Sequence, residues 1–267
     1  MRQTFDSSAS EISMGRASQL CPPFAADLLA GDSPSALERR LGEMAAMPGR
    51  IAKVRDLATK LHYQVATKPL PVLLANGSDN SSPRMRVRHL HDLLVYKARG
   101  QHCHAGLYRS VNADRLLSAG GLNSDGDAVV HCEHTVPTGA VLAQLRLLFL
   151  AGRLRHPEAL LTAFLELAVV TVLLKAENHG QVAGIHLAAR RTFDGRSSGW
   201  KDKHPDIDDQ GIATRRARPF RRYMGTGLQV LFVPSAELID LETFTLADHA
   251  ERIRPYKAYQ AATYFTR

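Results

Sequence analysis

Between residues 130 and 139 the chain reads VHCEHTVPTG, which sets His131, Cys132, Glu133 and His134 side by side. Imidazole changes charge near neutral pH and serves as a base or as a metal ligand. A carboxylate next to it suits a hard cation, and a thiolate suits a soft one. Glu133 alone reads as a solvated charge at a strand end. Two histidines flanking a Cys-Glu pair have no packing rationale, so this run is the first candidate for a site. Pro137 has a simpler reading: it stops a strand from continuing.

Other groups compete with it. QHCH at 101–104 holds His102, Cys103 and His104. Joined to Cys132 and to His131 or His134, they would supply the Cys and His ligands of a tetrahedral zinc. The spacing matches no zinc-finger pattern, and in this alternative the metal is a structural clip. GWKDKHPDIDDQG carries Asp202, Asp206, Asp208 and Asp209. Its spacing is not that of an EF-hand, and it reads as a solvated acidic loop. TRRARPFRRY packs Arg215, Arg216, Arg218, Arg221 and Arg222 together, with Phe220 and Tyr223 interleaved. Guanidinium forks match phosphate oxygens and aromatic rings stack on bases. RMRVRH adds Arg84, Arg86 and Arg88.

The bulk numbers point the same way. Lys and Arg total 34 against 26 Asp and Glu, for a formal charge of +8, which suits a polyanionic partner such as nucleic acid. Hydrophobic residues make up 45 % of the 267, enough for a real core. Three cysteines, an odd number with no C-x-x-C, predict no disulfide framework and a reducing compartment. No apolar run approaches a membrane span, and the first residues lack a signal-peptide core. The expectation is a soluble, cytoplasmic protein with no membrane partner.

The elements that would position these residues follow from periodicity and punctuation. Residues 1–30 are polar and Ser-rich and read as a disordered tail. Residues 31–75 form an N-terminal helical region: Leu37, Leu41, Met44 and Met47 recur at helical spacing, Pro48-Gly49 interrupts, and Ile51, Val54, Leu57 and Leu61 resume the stripe. After the NGSDNSSP loop, an α+β domain spans 84–267. Helices are expected over 84–98, 112–119 and 138–167, the last split by Gly152 and Pro157. A further helix opens near Asn178, and the C-terminal end is helical with a break at Pro255. Strands are expected around 127–133, 169–175 and 228–233, so that the His-Cys-Glu-His run falls at the end of the first. The fold class is α+β, mainly helical with a small sheet.

Strand, acidic-His pair, Pro137, second strand, then Asn178 and His186 eight positions apart: that order resembles the HNH nucleases with their ββα-metal core. The resemblance spans 128–187. It implies a metal-dependent endonuclease hydrolysing phosphodiester bonds in DNA, with a divalent metal (Mg²⁺, Mn²⁺ or Zn²⁺). By the resemblance His134 would be the general base, Glu133 and His186 metal ligands, and Asn178 would orient the base or help bind the metal. His131 is a rival ligand, because strand alternation puts it on the same face as Glu133. Alone, His186 reads as a half-buried helix histidine and Asn178 as a cap. The chain departs from the family in its helical insertion of roughly 30 residues between the strands. The alternative is a non-catalytic nucleic-acid-binding module with a structural metal or none.

Overall fold

The computed structural model describes residues 34–75, 79–95, 106–119, 130–178, 217–220, 223–224 and 226–265. The expected tail over 1–30, QHCH, the acidic loop around Asp206, His186, and Arg215, Arg216, Arg221 and Arg222 lie outside them.

Proline opens the helices where a missing N–H costs nothing. Pro34 begins α1 (Pro34–Ala46), and Pro48 begins α2 (Pro48–Thr67). The short α3 (Leu70–Leu74) follows. Pro83 opens α4 (Pro83–Leu94), whose Ser82 side chain caps it by accepting from the Met85 amide. Helix α5 (Val111–Ser118) is capped by Ser110, not by Asn112. The 138–167 stretch divides as its sequence implies into α6 (Thr138–Leu150) and α7 (Pro157–Leu167), with Gly152 at φ 72° in the turn between them. The four-residue α8 (Lys175–Asn178) is described as far as Asn178, and the rest of the helix expected to open near there lies outside the described residues. Near the C-terminus α9 (Leu246–Ile253) carries a reciprocal Thr245–Asp248 capping box, and α10 (Ala262–Phe265) follows Pro255.

Among the described residues five strands form one mixed sheet: β1 (Tyr108–Ser110), β2 (Val130–His134), β3 (Val170–Leu174), β4 (Val230–Phe232) and β5 (Glu237–Leu238). Their order is β2-β3-β1-β4-β5; β1 and β3 run parallel and the other neighbours antiparallel. The protein is α+β, mainly helical around this small sheet. The central strand β1 has no counterpart among the expected strands. The His-Cys-Glu-His run lies at the end of β2, with His134 still in the ladder opposite Val170.

A single hydrophobic core joins the N-terminal helices to the rest. Leu37, Val54 and Leu61 belong to the same buried cluster as Tyr108, Phe164, Phe220 and Phe232. A smaller cluster, Ala113 and Leu117 of α5 against Val130 and Val172, covers part of the other face of the sheet. No described helix is long and apolar enough to cross a membrane.

Candidate functional site

β2 is an edge strand, and among the described residues no strand pairs with its outer side. Strand alternation turns His131 and Glu133 to one face and Cys132 and His134 to the other. The first pair meets: His131 Nε2 lies 3.6 Å from Glu133 Oε2, with the His131 side chain 41 % exposed and that of Glu133 15 % exposed. An imidazole and a carboxylate are thus side by side on the rim of the sheet. On the other face Cys132 packs against the Ala113–Leu117 cluster. Cys132 is also disulfide-bonded. An odd cysteine count without C-x-x-C argues against a framework, but it does not forbid one bridge. The bridge removes Cys132 from the zinc clip considered above, because a disulfide sulfur is no thiolate.

His134 is half-buried, and its ring stacks on that of His91 in α4, with centroids 4.5 Å apart and planes 32° apart. The backbone register sets its distance from Asn178. Leu174, which leads into α8, pairs with Val130, whereas His134 pairs with Val170 four residues further along. That separates the two ends of the ladder by about 13 Å. Asn178 therefore stands at the His131 end of β2, away from His134. His186 lies outside the described residues. Among the described residues no three His, Cys, Asp or Glu side chains gather as a metal centre.

Two basic segments of the sequence reach the turn that follows β2. Arg84, at the start of α4, lies against Gly139 in the first turn of α6: a Cβ on Gly139 would sit 3.2 Å from Arg84 Nη2. Burial first, then the neighbouring Arg88 charge, lowers the pKa of this guanidinium. The other segment ends at Tyr223. Its hydroxyl lies 3.4 Å from Thr135 Oγ1, which is 2.6 Å from Thr171 Oγ1. Thr171 is the register partner of Glu133. Of the five arginines in that segment Arg218 is described, and it donates to the Glu242 carbonyl at 2.9 Å. Phe220 is fully buried beside Tyr108 and Phe244. Its role is packing, where base stacking was expected.

Three buried polar side chains are absent from the sequence reading. Glu177, fully buried in α8, accepts from Ser110 Oγ at 2.6 Å, Asn112 Nδ2 at 3.0 Å and the Leu174 amide at 2.9 Å. It ties the carboxyl ends of the parallel strands β1 and β3 together. Arg109, fully buried in β1, reaches Asp114 at 3.3 Å. His91 is the third, and it did leave a signal. It sits in register with Val87, Leu90 and Leu94 at i, i+3, i+4 and i+7, a histidine in an apolar stripe.

No protein-family model matches this chain, and neither the curated proteins nor the solved structures contain a match.

Proposed function

We propose that the protein is a metal-dependent endonuclease that hydrolyses phosphodiester bonds in DNA at the open edge of β2. One observation carries the reading: two Arg-rich segments, through Arg84 and through Tyr223, converge on the residues that follow the His131–His134 strand. A polyanionic backbone held by those segments would lie along the edge where His131 is partly exposed and the half-buried Glu133 sits beside it. At an interior strand the sheet would keep the two faces apart. At an edge, a phosphate beside the strand can be approached from both.

His131 and Glu133 offer one nitrogen and one carboxylate side by side. This is a partial donor set of the kind that phosphate oxygens and water complete around Mg²⁺ or Mn²⁺. When bound there, a divalent ion would supply Lewis acidity to the phosphoryl oxygen. His134, one residue on, is the candidate general base for the attacking water. Asn178, at the far end of the ladder, would contact substrate or metal from the His131 side. Intracellular DNA as the substrate would put the protein in the cytoplasm.

Supercoiled plasmid incubated with Mg²⁺, Mn²⁺ or EDTA tests this reading. Wild-type protein should nick the plasmid only with metal. His134→Ala and Glu133→Gln, matched to wild type by circular dichroism, should lower the rate at least a hundredfold, within the usual range for loss of a positioned base. A wild type that binds DNA yet leaves it intact with every metal removes the nuclease reading. The non-catalytic nucleic-acid-binding module would then stand.

A further inference from the structure

His91 is a buried histidine that the proposed chemistry does not use. It is 1 % exposed, on the inner face of α4. Its ring is sandwiched: His134 on one side at 4.5 Å between centroids, Phe164 of α7 on another at 5.1 Å with planes 35° apart. Neither Nδ1 nor Nε2 has a hydrogen-bond partner. Burial, and secondarily the neighbouring His134, holds its pKa well below the usual histidine value, so the ring is neutral at pH 7. An imidazole without hydrogen bonds or charge has one thing to offer a neighbour, the face of its ring. Leaving two ring nitrogens buried without partners costs stability. A leucine at this helical position would fill the stripe without that cost.

We infer that His91 is a positioning residue for His134: its ring face, backed by Phe164, fixes the plane of the His134 imidazole at the end of β2. The catalytic meaning of that role rests on the nuclease reading; the positioning itself does not. Strand β2 ends at His134, and a backbone ladder by itself does not set the last torsion of an imidazole. The aromatic wall of α4 and α7 closes it. A base whose ring can turn aims its lone pair at the water for only part of the time, and misaimed groups lose rate steeply.

The test uses the full-length protein and two readouts. The first is the NMR signal of the His134 ring protons, assigned by their loss in His134→Ala. In His91→Ala these signals should lose the ring-current displacement of the stacked neighbour. In His91→Phe, which keeps a ring face, they should stay displaced. The second is DNA cleavage. His91→Ala should lower kcat roughly ten- to a hundredfold with KM within about twofold, and His91→Phe should recover most of it. Leu90→Ala, a fully buried neighbour on the same helix, controls for loosened packing and should leave the kcat and the His134 signals near wild type. His134 signals unchanged in His91→Ala, or disturbed equally by Leu90→Ala, overturn the inference. If wild type cleaves nothing, the nuclease reading falls and the NMR arm alone decides the positioning role.

Discussion

Glu177 shows how much one buried carboxylate can organise. A charge out of water survives only when its lone pairs are met, and here three donors meet them, two from the start of α5 and one from the end of β3. Ser110 serves twice: its hydroxyl donates to Glu177 and accepts from the Ala113 amide as the cap of α5. Glu177→Ala leaves three donors facing a void, while Glu177→Gln keeps the shape but turns one acceptor into a donor. Urea unfolding should show Glu177→Ala destabilised by about 3–5 kcal/mol, with Glu177→Gln in between. Values for both within 1 kcal/mol of wild type would mean the cluster is solvated and not a structural tie.

Helix α9 is anchored to the sheet by a residue pair whose proton positions follow from chemistry. His249 Nε2 lies 3.0 Å from the Leu165 carbonyl, which can only accept, so Nε2 carries the hydrogen. Nδ1 then accepts from the Tyr108 hydroxyl at 3.0 Å. Burial drives the His249 pKa down to about 4, partly offset by the Leu165 hydrogen bond. The fold therefore binds the neutral ring, and the unfolded chain takes up the proton first. The contribution is complete above pH 6.5, the ordinary value. It is lost as pH falls from 6.5 towards 4, amounting to about 3 kcal/mol in all. His91, shifted in the same direction, adds to this loss. Denaturation midpoints from pH 7.5 to 4.5 should fall steeply in wild type and less so in His249→Gln. An equal slope in the two would rule out His249 as the group responsible. Nearby, Arg252 binds both oxygens of Glu237, at 2.6 and 2.9 Å, and lies over the rings of Phe232 and Phe244. That fastens α9 to the β4–β5 end of the sheet.

At the scale of the whole molecule the chain carries a formal charge of +8, and its main hydrophobic cluster is built from apolar and aromatic side chains. Of the described arginines, Arg84 lies against Gly139, shortly after β2. If the two Arg-rich segments hold a phosphate backbone, affinity for duplex DNA should fall linearly on a log–log plot against salt. Replacing Arg215, Arg216, Arg221 and Arg222 together by Gln should flatten that slope by roughly one unit for each phosphate contact removed. Fluorescence anisotropy with a labelled duplex from 50 to 300 mM KCl reads it directly. An unchanged slope would place the contact surface elsewhere.

Local chemistry alone determined a good part of this protein. Proline at helix starts, Gly152 between α6 and α7, and the i, i+3, i+4 stripes of α1, α2 and α4 are written in neighbouring residues, because helix hydrogen bonds close within four residues. The runs at 130–134, 170–174 and 230–232 were legible as strands for the same local reason, as β-branched and apolar residues between turns. The shared face of His131 and Glu133 follows from period-two alternation. What lay beyond the sequence is every relation set by distant partners. Strand β1 is three residues long and carries a buried arginine, so it has no pattern of its own; β3 and β4 on either side make it a strand. The ladder register puts Asn178 far from His134, and sequence spacing cannot reveal a register chosen by which side chains the helices bury. The stacking of His91 on His134, the hold of Ser110 and Asn112 on Glu177 and the arrival of Tyr223 beside Thr135 join residues 43 to 88 positions apart in pairs that only the packed core brings together. A carboxylate or an imidazole looks the same in sequence whether it meets water or another ring, and tertiary packing made that choice here.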